Sequence, residues 1–248
     1  ILMAASLANG KSTLKNCAIE PEVIDLINFL NKCGALIKVK NRTITVRGVE
    51  ELKLQDYKVI PDRIEAGSYI LATMATKGRL KLNNFNPKDL ALPLKLYKGM
   101  GLKIKKLSNT SYEIYCKTLK PIKKISTKEF PGYPTDLQAQ LIATQLKSGL
   151  KSKVVENIFE NRFIHIPELR RFGANLSIKG NTVTIDKTSN LLGAEVMATD
   201  IRASFSLIIA AMMSKGKTVI NRIYHLDRGY EDFDLKLKKC GVNISRKK

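Results

Sequence analysis

Ala198-Thr199-Asp200-Ile201-Arg202-Ala203-Ser204 heads an apolar helical run, and its form recurs twice earlier in the chain. Asp62-Arg63-Ile64-Glu65-Ala66 and Asp136-Leu137-Gln138-Ala139 have the same form: a capping carboxylate, then an apolar residue and an alanine, then apolar helix out to a glycine. The closing glycines are Gly78, Gly149 and Gly216; Gly10, after Leu2-Met3-Ala4-Ala5-Ser6-Leu7-Ala8, makes a fourth. Their separations are 68, 71 and 67 residues. A second series, Gly34, Gly101, Gly173 and Gly241, keeps the same period at 67, 72 and 68 residues. A period held by two independent glycine series marks a repeated supersecondary unit.

Each closing glycine is followed by a short β-type run: Ser12-Thr13-Leu14, Arg79-Leu80-Lys81-Leu82, Lys153-Val154-Val155 and Thr218-Val219-Ile220. A second helix then leads to the second glycine, most clearly Val23-Ile24-Asp25-Leu26-Ile27-Asn28-Phe29-Leu30 before Gly34. In one copy Pro93 is expected to interrupt that helix, at a cost of about 3 kcal/mol if it is interior. Beyond the second glycine, alternating runs predict hairpins: Leu36–Val39 with Thr43–Val46, and Leu176–Lys179 with Thr182–Ile185 across Gly180-Asn181. The unit is thus helix, strand, helix, two strands, with one further strand before the next Asp. Two apolar helices per unit must cover a sheet, so the fold class is α/β.

The first copy starts inside its helix at Ile1, with neither capping Asp nor initiator Met, which predicts about half a dozen or more missing upstream residues. The last is expected to stop after one strand, at Arg246-Lys247-Lys248. A boundary is expected at Ile60-Pro61, where proline disfavours helix in the residue before it.

No apolar run reaches the roughly 20 residues that span a bilayer, and the opening residues lack the basic flank of a signal peptide, which points to the cytoplasm. Cys17, Cys33, Cys116 and Cys240 form no CxxC pair, and with only His165 and His225 beside them no metal spacing arises. Net charge is +21. The lysines, about three to each arginine, spread over all copies with a denser patch from Lys95 to Lys128. That spread disfavours nucleic acid as a partner and suits a general field drawing small anions. Gly10-Lys11-Ser12 imitates the tail of a phosphate-binding loop, but Ala5 stands where the first glycine is needed.

Tyr133-Pro134-Thr135-Asp136-Leu137-Gln138-Ala139-Gln140, Glu160-Asn161-Arg162-Phe163, the stretch from Ala198 to Ser204, and Tyr224-His225-Leu226-Asp227-Arg228-Gly229-Tyr230-Glu231 closely resemble the UDP-N-acetylglucosamine enolpyruvyl transferases (1-carboxyvinyltransferases). The similarity runs from Ile1 to the C-terminus, and Ile60-Pro61-Asp62-Arg63-Ile64-Glu65 fits as well. It implies an inside-out α/β barrel of repeated β-α-β-α-β-β units, truncated at the N-terminus. Residues 1–60 would be the last repeat of a first domain and 61–248 the second domain. The implied activity transfers an enolpyruvyl group from phosphoenolpyruvate to the 3-hydroxyl of UDP-N-acetylglucosamine, the first committed step of peptidoglycan synthesis, and calls for no cofactor and no metal. Two other readings stand beside it: a 5-enolpyruvylshikimate-3-phosphate synthase-like enzyme, and a non-catalytic basic module of the same fold.

Addition followed by elimination needs a base for the sugar hydroxyl, a proton donor for the enol carbon, and cations around phosphate and carboxylate. By resemblance Asp136 is the base and contacts the sugar; as plain sequence it reads as an N-cap, and one residue can serve both ends. Asp200 resembles an aspartate near the reacting centre and reads equally well as a cap. Arg202 and Arg228 would hold phosphoenolpyruvate or its phosphate, with Arg162 near the same cleft; ion pairs with acids such as Asp227 or Glu231 are the alternative. Ile158 matches a position that contacts the UDP-sugar through its backbone, though as plain sequence it reads as core. The family's proton-donating cysteine, lysine and asparagine lie in the first domain, and none of the four cysteines here sits in that motif. A missing N-terminal domain, in cis or in trans, is therefore an expected partner. His165 and His225 are expected to be structural.

Overall fold

The computed structural model describes residues 1–247, which form two compact units. The first comprises residues 1–61 with 129–131, the second residues 62–128 with 132 onward.

In the first unit α1 (Leu2–Leu7), β1 (Lys11–Leu14), α2 (Pro21–Lys32), β2 (Leu36–Lys40) and β3 (Thr43–Arg47) follow the expected order. The helix α2 starts with proline at its first position, where a missing N–H costs nothing. The sheet order is β1-β3-β2, all antiparallel, so the second hairpin strand is central. Its inward residues Ile44 and Val46 join Ile27, Leu30 and Ile37 in a small core.

The second unit carries the repeat three more times. Its first copy contains α3 (Arg63–Ala75), β4 (Arg79–Leu82), α4 (Ala91–Gly99), β5 (Lys103–Lys106) and β6 (Tyr112–Tyr115). Pro93 does not interrupt α4: it is the third residue, within the first turn, where backbone N–H groups have no intrahelical acceptor. The next copy opens with β7 (Lys124–Ser126), then a 3-10 turn at Thr135–Leu137, α5 (Gln138–Gln145), β8 (Ser152–Val155), α6 (Ile166–Arg171), β9 (Leu176–Lys179) and β10 (Thr182–Ile185). The last has β11 (Glu195–Met197), α7 (Ile201–Met213), β12 (Val219–Asn221), α8 (Tyr224–Asp227) and α9 (Phe233–Lys239). The extra strand before each carboxylate exists at β7 and β11, pairing parallel with β8 and β12.

The expected final strand does not form: residues 242–247 have no regular structure. The equivalent strands β2, β5 and β9 each pair with the strand that follows them, and residues 242–247 have no such neighbour among the described residues. Lys248, which closes the expected strand and domain, lies outside the described residues. The second glycine series closes helices: Gly34, Gly101, Gly173 and Gly241 have φ of 103°, 109°, 86° and 89°, a region that favours glycine.

Helices α3, α5 and α7 pack on one another at the centre of this unit. All eight residues of α5 are buried, and most of α3 and α7. Helices that are buried all round belong inside a core, with the sheets outside them: the inside-out α/β barrel that the resemblance implies. The N-terminal ends of α5 and α7 carry the residues that matter below.

Candidate active site

Three carboxylates occupy the same place in the repeat but not the same geometry. Asp62 caps α3, its Oδ1 accepting from Ile64 and Glu65 N–H at 2.7 and 3.0 Å. Asp200 caps α7, its Oδ1 accepting from Arg202 and Ala203 N–H, both at 2.7 Å. Asp136 caps nothing. It lies within the 3-10 turn Thr135–Leu137, whose cap position is Pro134, and α5 begins behind Leu137 with no side-chain cap. The expectation that Asp136 is an N-cap is thus corrected: the 3-10 turn places it inside the helical run.

Its carboxylate turns sideways to arginine. Arg162 Nη2 donates to Asp136 Oδ1 at 2.6 Å, and Arg202 Nε lies 4.0 Å from the same oxygen. The Arg162 guanidinium rests over the Phe159 ring, 4.8 Å from its centroid, and its backbone carbonyl accepts from Gln138 Nε2 at 3.1 Å. The turn after β8 is thereby tied to the first residue of α5. Burial disfavours the charge on Arg202, but Tyr230, Asp136 and Asp62 outweigh it and raise its pKa above the usual arginine value.

Glu156, which the sequence reading passed over, organises this corner. It is 2% exposed, and its Oε1 accepts from Thr127 Oγ1 at 2.9 Å and from Ile158 and Phe159 N–H at 2.8 and 3.2 Å. Its Oε2 accepts from Thr135 Oγ1 at 2.7 Å. One buried carboxylate so fixes the end of β7, the residue before Asp136 and the turn that carries Ile158 and Arg162. Ile158 is half-buried rather than core, and its N–H is committed to Glu156.

Arg228 stands apart from the Asp136 cluster. It is exposed, makes no ion pair among the described residues, and lines an open depression of about 760 Å³ with Asp62, Glu65, Asp227, Tyr230, Asp234 and Arg246. Asp136, Arg162 and Arg202 do not line that depression. The acids that could have paired with Arg228 are engaged elsewhere: Asp227 with Arg246 at 2.7 Å, Glu231 with Lys236 at 3.9 Å. Its neighbour Gly229 packs so closely on α7 that a Cβ there would lie 2.5 Å from Ile201 Cγ2. The same Cβ would lie 3.7 Å from Arg202 Nη1, so it is Gly229, the residue after Arg228, that is held against α7 beside Arg202.

Several buried polar atoms around these residues have no protein partner: Arg202 Nη1, Thr199 Oγ1, Gln138 Oε1 and both ring nitrogens of His165. His165 is 1% exposed, and its pKa is lowered to about 4, chiefly by burial, with Arg162 adding to the shift and Asp200 opposing it. A carboxylate between two guanidinium groups, with buried donors and acceptors of neighbouring residues left unpaired, suits a ligand carrying both an exchangeable hydroxyl and anionic oxygens.

The family model described as EPSP synthase (3-phosphoshikimate 1-carboxyvinyltransferase) matches residues 1–237. The chain is 51% identical to a UDP-N-acetylglucosamine 1-carboxyvinyltransferase of Pelagibacter ubique, over 99% of this chain and 59% of that protein. It is 45% identical to the enzyme of the same name from Bartonella henselae, over 99% and 58%. The enolpyruvyl transferase NikO from Streptomyces tendae superposes with a TM-score of 0.87 at 26% identity, covering 98% of this chain and 58% of that one. An EPSP synthase from Acinetobacter baumannii, 16% identical with a TM-score of 0.73, shares the fold. The chain therefore spans a little under three fifths of the relatives it matches.

Proposed function

This chain belongs to the EPSP synthase (3-phosphoshikimate 1-carboxyvinyltransferase) family, and from that premise we propose that it is the C-terminal portion of a UDP-N-acetylglucosamine 1-carboxyvinyltransferase. The reaction moves an enolpyruvyl group from phosphoenolpyruvate to the 3-hydroxyl of UDP-N-acetylglucosamine and releases phosphate, as a step of peptidoglycan synthesis. The observation that carries this reading is Asp136: freed from capping, its carboxylate sits 2.6 Å from Arg162 and 4.0 Å from Arg202.

In this account Asp136 accepts the proton of the sugar hydroxyl as its oxygen adds to C2 of the enol phosphate, while C3 takes a proton from the donor that the first domain would supply. Arg202 and Arg228 hold phosphate and carboxylate oxygens, Arg162 orients Asp136, and the leaving phosphate departs toward the guanidinium groups as C3 gives up a proton and the double bond re-forms. Asp200 stands near the reacting centre while capping α7. Ile158 would meet the nucleotide sugar through its carbonyl, since its N–H is spent on Glu156. Residues 1–60 are assigned to the last repeat of a first domain and 61–248 to the second. The relatives are longer, and the proton-donating cysteine motif of the family is not in this chain, so a first domain, in cis or in trans, would complete catalysis. A cytoplasmic reaction fits these two charged substrates. No described helix is long and apolar enough to cross a membrane. The net charge of +21 serves here to draw anionic substrates.

Assaying the complete protein with phosphoenolpyruvate and either UDP-N-acetylglucosamine or shikimate 3-phosphate tests the proposal. Phosphate release is expected only with the nucleotide sugar. Release only with shikimate 3-phosphate contradicts it.

A further inference from the structure

The copies of the repeat set the same aspartate in two different arrangements, and the residue that follows the neighbouring strand differs between them. In the register of β7 on β8, Ser126 faces Val155, and Thr127 N–H donates to the Val155 carbonyl at 2.9 Å. In the register of β11 on β12, Met197 faces Asn221, and Ala198 N–H donates to the Asn221 carbonyl at 3.0 Å. Glu156 and Arg222, each one residue beyond its strand, therefore hold equivalent positions.

Both aspartates of these copies follow a threonine: Thr135 before Asp136 and Thr199 before Asp200. In the copy with Glu156, the Thr135 hydroxyl donates to Glu156 Oε2 at 2.7 Å, and Asp136 does not cap. In the copy with Arg222, that side chain is exposed and donates to Tyr224 Oη at 3.0 and 2.7 Å. Thr199 Oγ1 is buried there with no partner among the described residues, and Asp200 caps α7. The remaining copy agrees: Pro61, which has no hydroxyl, precedes Asp62, and Asp62 caps α3.

A carboxylate at the head of a helix is drawn to the N–H groups there. Around Asp136 a closed ring of contacts holds it away. Glu156 takes the Thr135 hydroxyl on one oxygen and the N–H groups of Ile158 and Phe159 on the other. The Arg162 guanidinium lies 4.8 Å over the Phe159 ring, and its Nη2 returns to Asp136, the residue after Thr135, at 2.6 Å. A glutamate that served only its own turn would need Ile158 and Phe159; the bond to Thr135 reaches a second element, 21 residues back.

We propose that Glu156 is a positioning residue: by holding the Thr135 hydroxyl it keeps Asp136 off the N–H groups of α5 and aims its carboxylate at Arg162 and the sugar hydroxyl. The aim at Arg162 stands by itself; the service to the sugar rests on the reading of Asp136 as the base.

Thr135→Val removes the hydroxyl and leaves Glu156 its other three donors, so it cuts this link alone. One readout is the crystal structure of the variant chain. Asp136 is expected to leave Arg162 and accept from the N–H groups of Gln138 and Ala139, the two positions that Asp62 and Asp200 use on their own helices. The other is turnover of the variant in the complete protein. A fall in kcat of about 10- to 100-fold is expected, the scale of a catalytic group displaced by ~1 Å, with KM for phosphoenolpyruvate within about twofold of the parent. Thr135→Ser, which returns a hydroxyl, should restore both, and Thr135→Val should add nothing once Asp136→Asn is present. Thr135→Ala stands in should the valine variant fold poorly. Asp136 still on Arg162 in the variant structure overturns the proposal, whatever the turnover. So does a loss of kcat that is as large with Asp136→Asn as without it, since such a loss does not pass through Asp136. If Asp136 turns to α5 while kcat keeps its parent value, the positioning stands and the reading of Asp136 as the base falls.

Discussion

Arg162 Nη2 donates to Asp136 Oδ1 at 2.6 Å, joining a turn after β8 to the 3-10 turn that precedes α5. The repeat predicts a helix cap at Asp136, and this contact takes its place. The difference between Asp136 and the two capping aspartates can be measured as stability.

Asp62→Ala and Asp200→Ala each remove two hydrogen bonds to helix N–H groups, and each is expected to cost roughly 1 kcal/mol, within the 0.5–2 kcal/mol usual for such caps. Asp136→Ala removes a partly exposed ion pair, with side chains 22% and 37% exposed, and should cost less than about 1 kcal/mol. Urea denaturation of the three variants checks the order. Asp136→Ala matching the other two would mean that its carboxylate caps α5 after all.

Glu156 accepts four hydrogen bonds from neutral donors and is 2% exposed. Glu156→Gln turns an amide NH2 toward at least one of those donors. A loss of roughly 2–4 kcal/mol is expected, from weaker bonds to an uncharged group and a buried donor left unmet. The loss should come with faster amide exchange at Ile158 and Phe159. A variant as stable as the parent, with slow exchange there, would show that the turn does not depend on the carboxylate.

His165 predicts a pH dependence. Its pKa falls from the ordinary 6.5 to about 4 on folding, through burial first, then Arg162, against Asp200. The unfolded chain therefore binds the proton more readily, so stability is full above about pH 6.5, declines as pH falls toward 4, and changes no further below that through this group. The decline amounts to about 3 kcal/mol for this residue alone. Denaturation midpoints of the parent and His165→Gln across that interval should converge as pH falls, because the variant lacks this slope. Parallel curves would show that His165 is not held neutral by the fold.

Much of the fold is legible in the chain because its determinants are local. The second glycine series marks left-handed helix ends, and period-two alternation marks the hairpins at Leu36–Arg47 and Leu176–Ile185. The expected strand after Gly241 fails because a strand exists only with a neighbour, and pairing is not a local property. At the site, Asp136, Arg162 and Arg202 can be picked out from motifs, but not the loss of the cap at Asp136, which follows from a 3-10 turn set by packing around Leu137 and Tyr133. Glu156 is illegible for a different reason: its partners Thr127, Thr135, Ile158 and Phe159 come from three separate segments. The bond from Tyr230 to Ser68 spans 162 residues of sequence, and no spacing rule reaches that far.

The central claim is that the Asp136 carboxylate serves the sugar hydroxyl rather than the helix. The most direct measurement is the turnover of Asp136→Asn in the complete protein with saturating UDP-N-acetylglucosamine and phosphoenolpyruvate, alongside its denaturation midpoint. The account predicts a fall in kcat of about 10²- to 10⁴-fold, the range of a lost general base, with stability nearly unchanged. Turnover within a few-fold of the parent enzyme would contradict it.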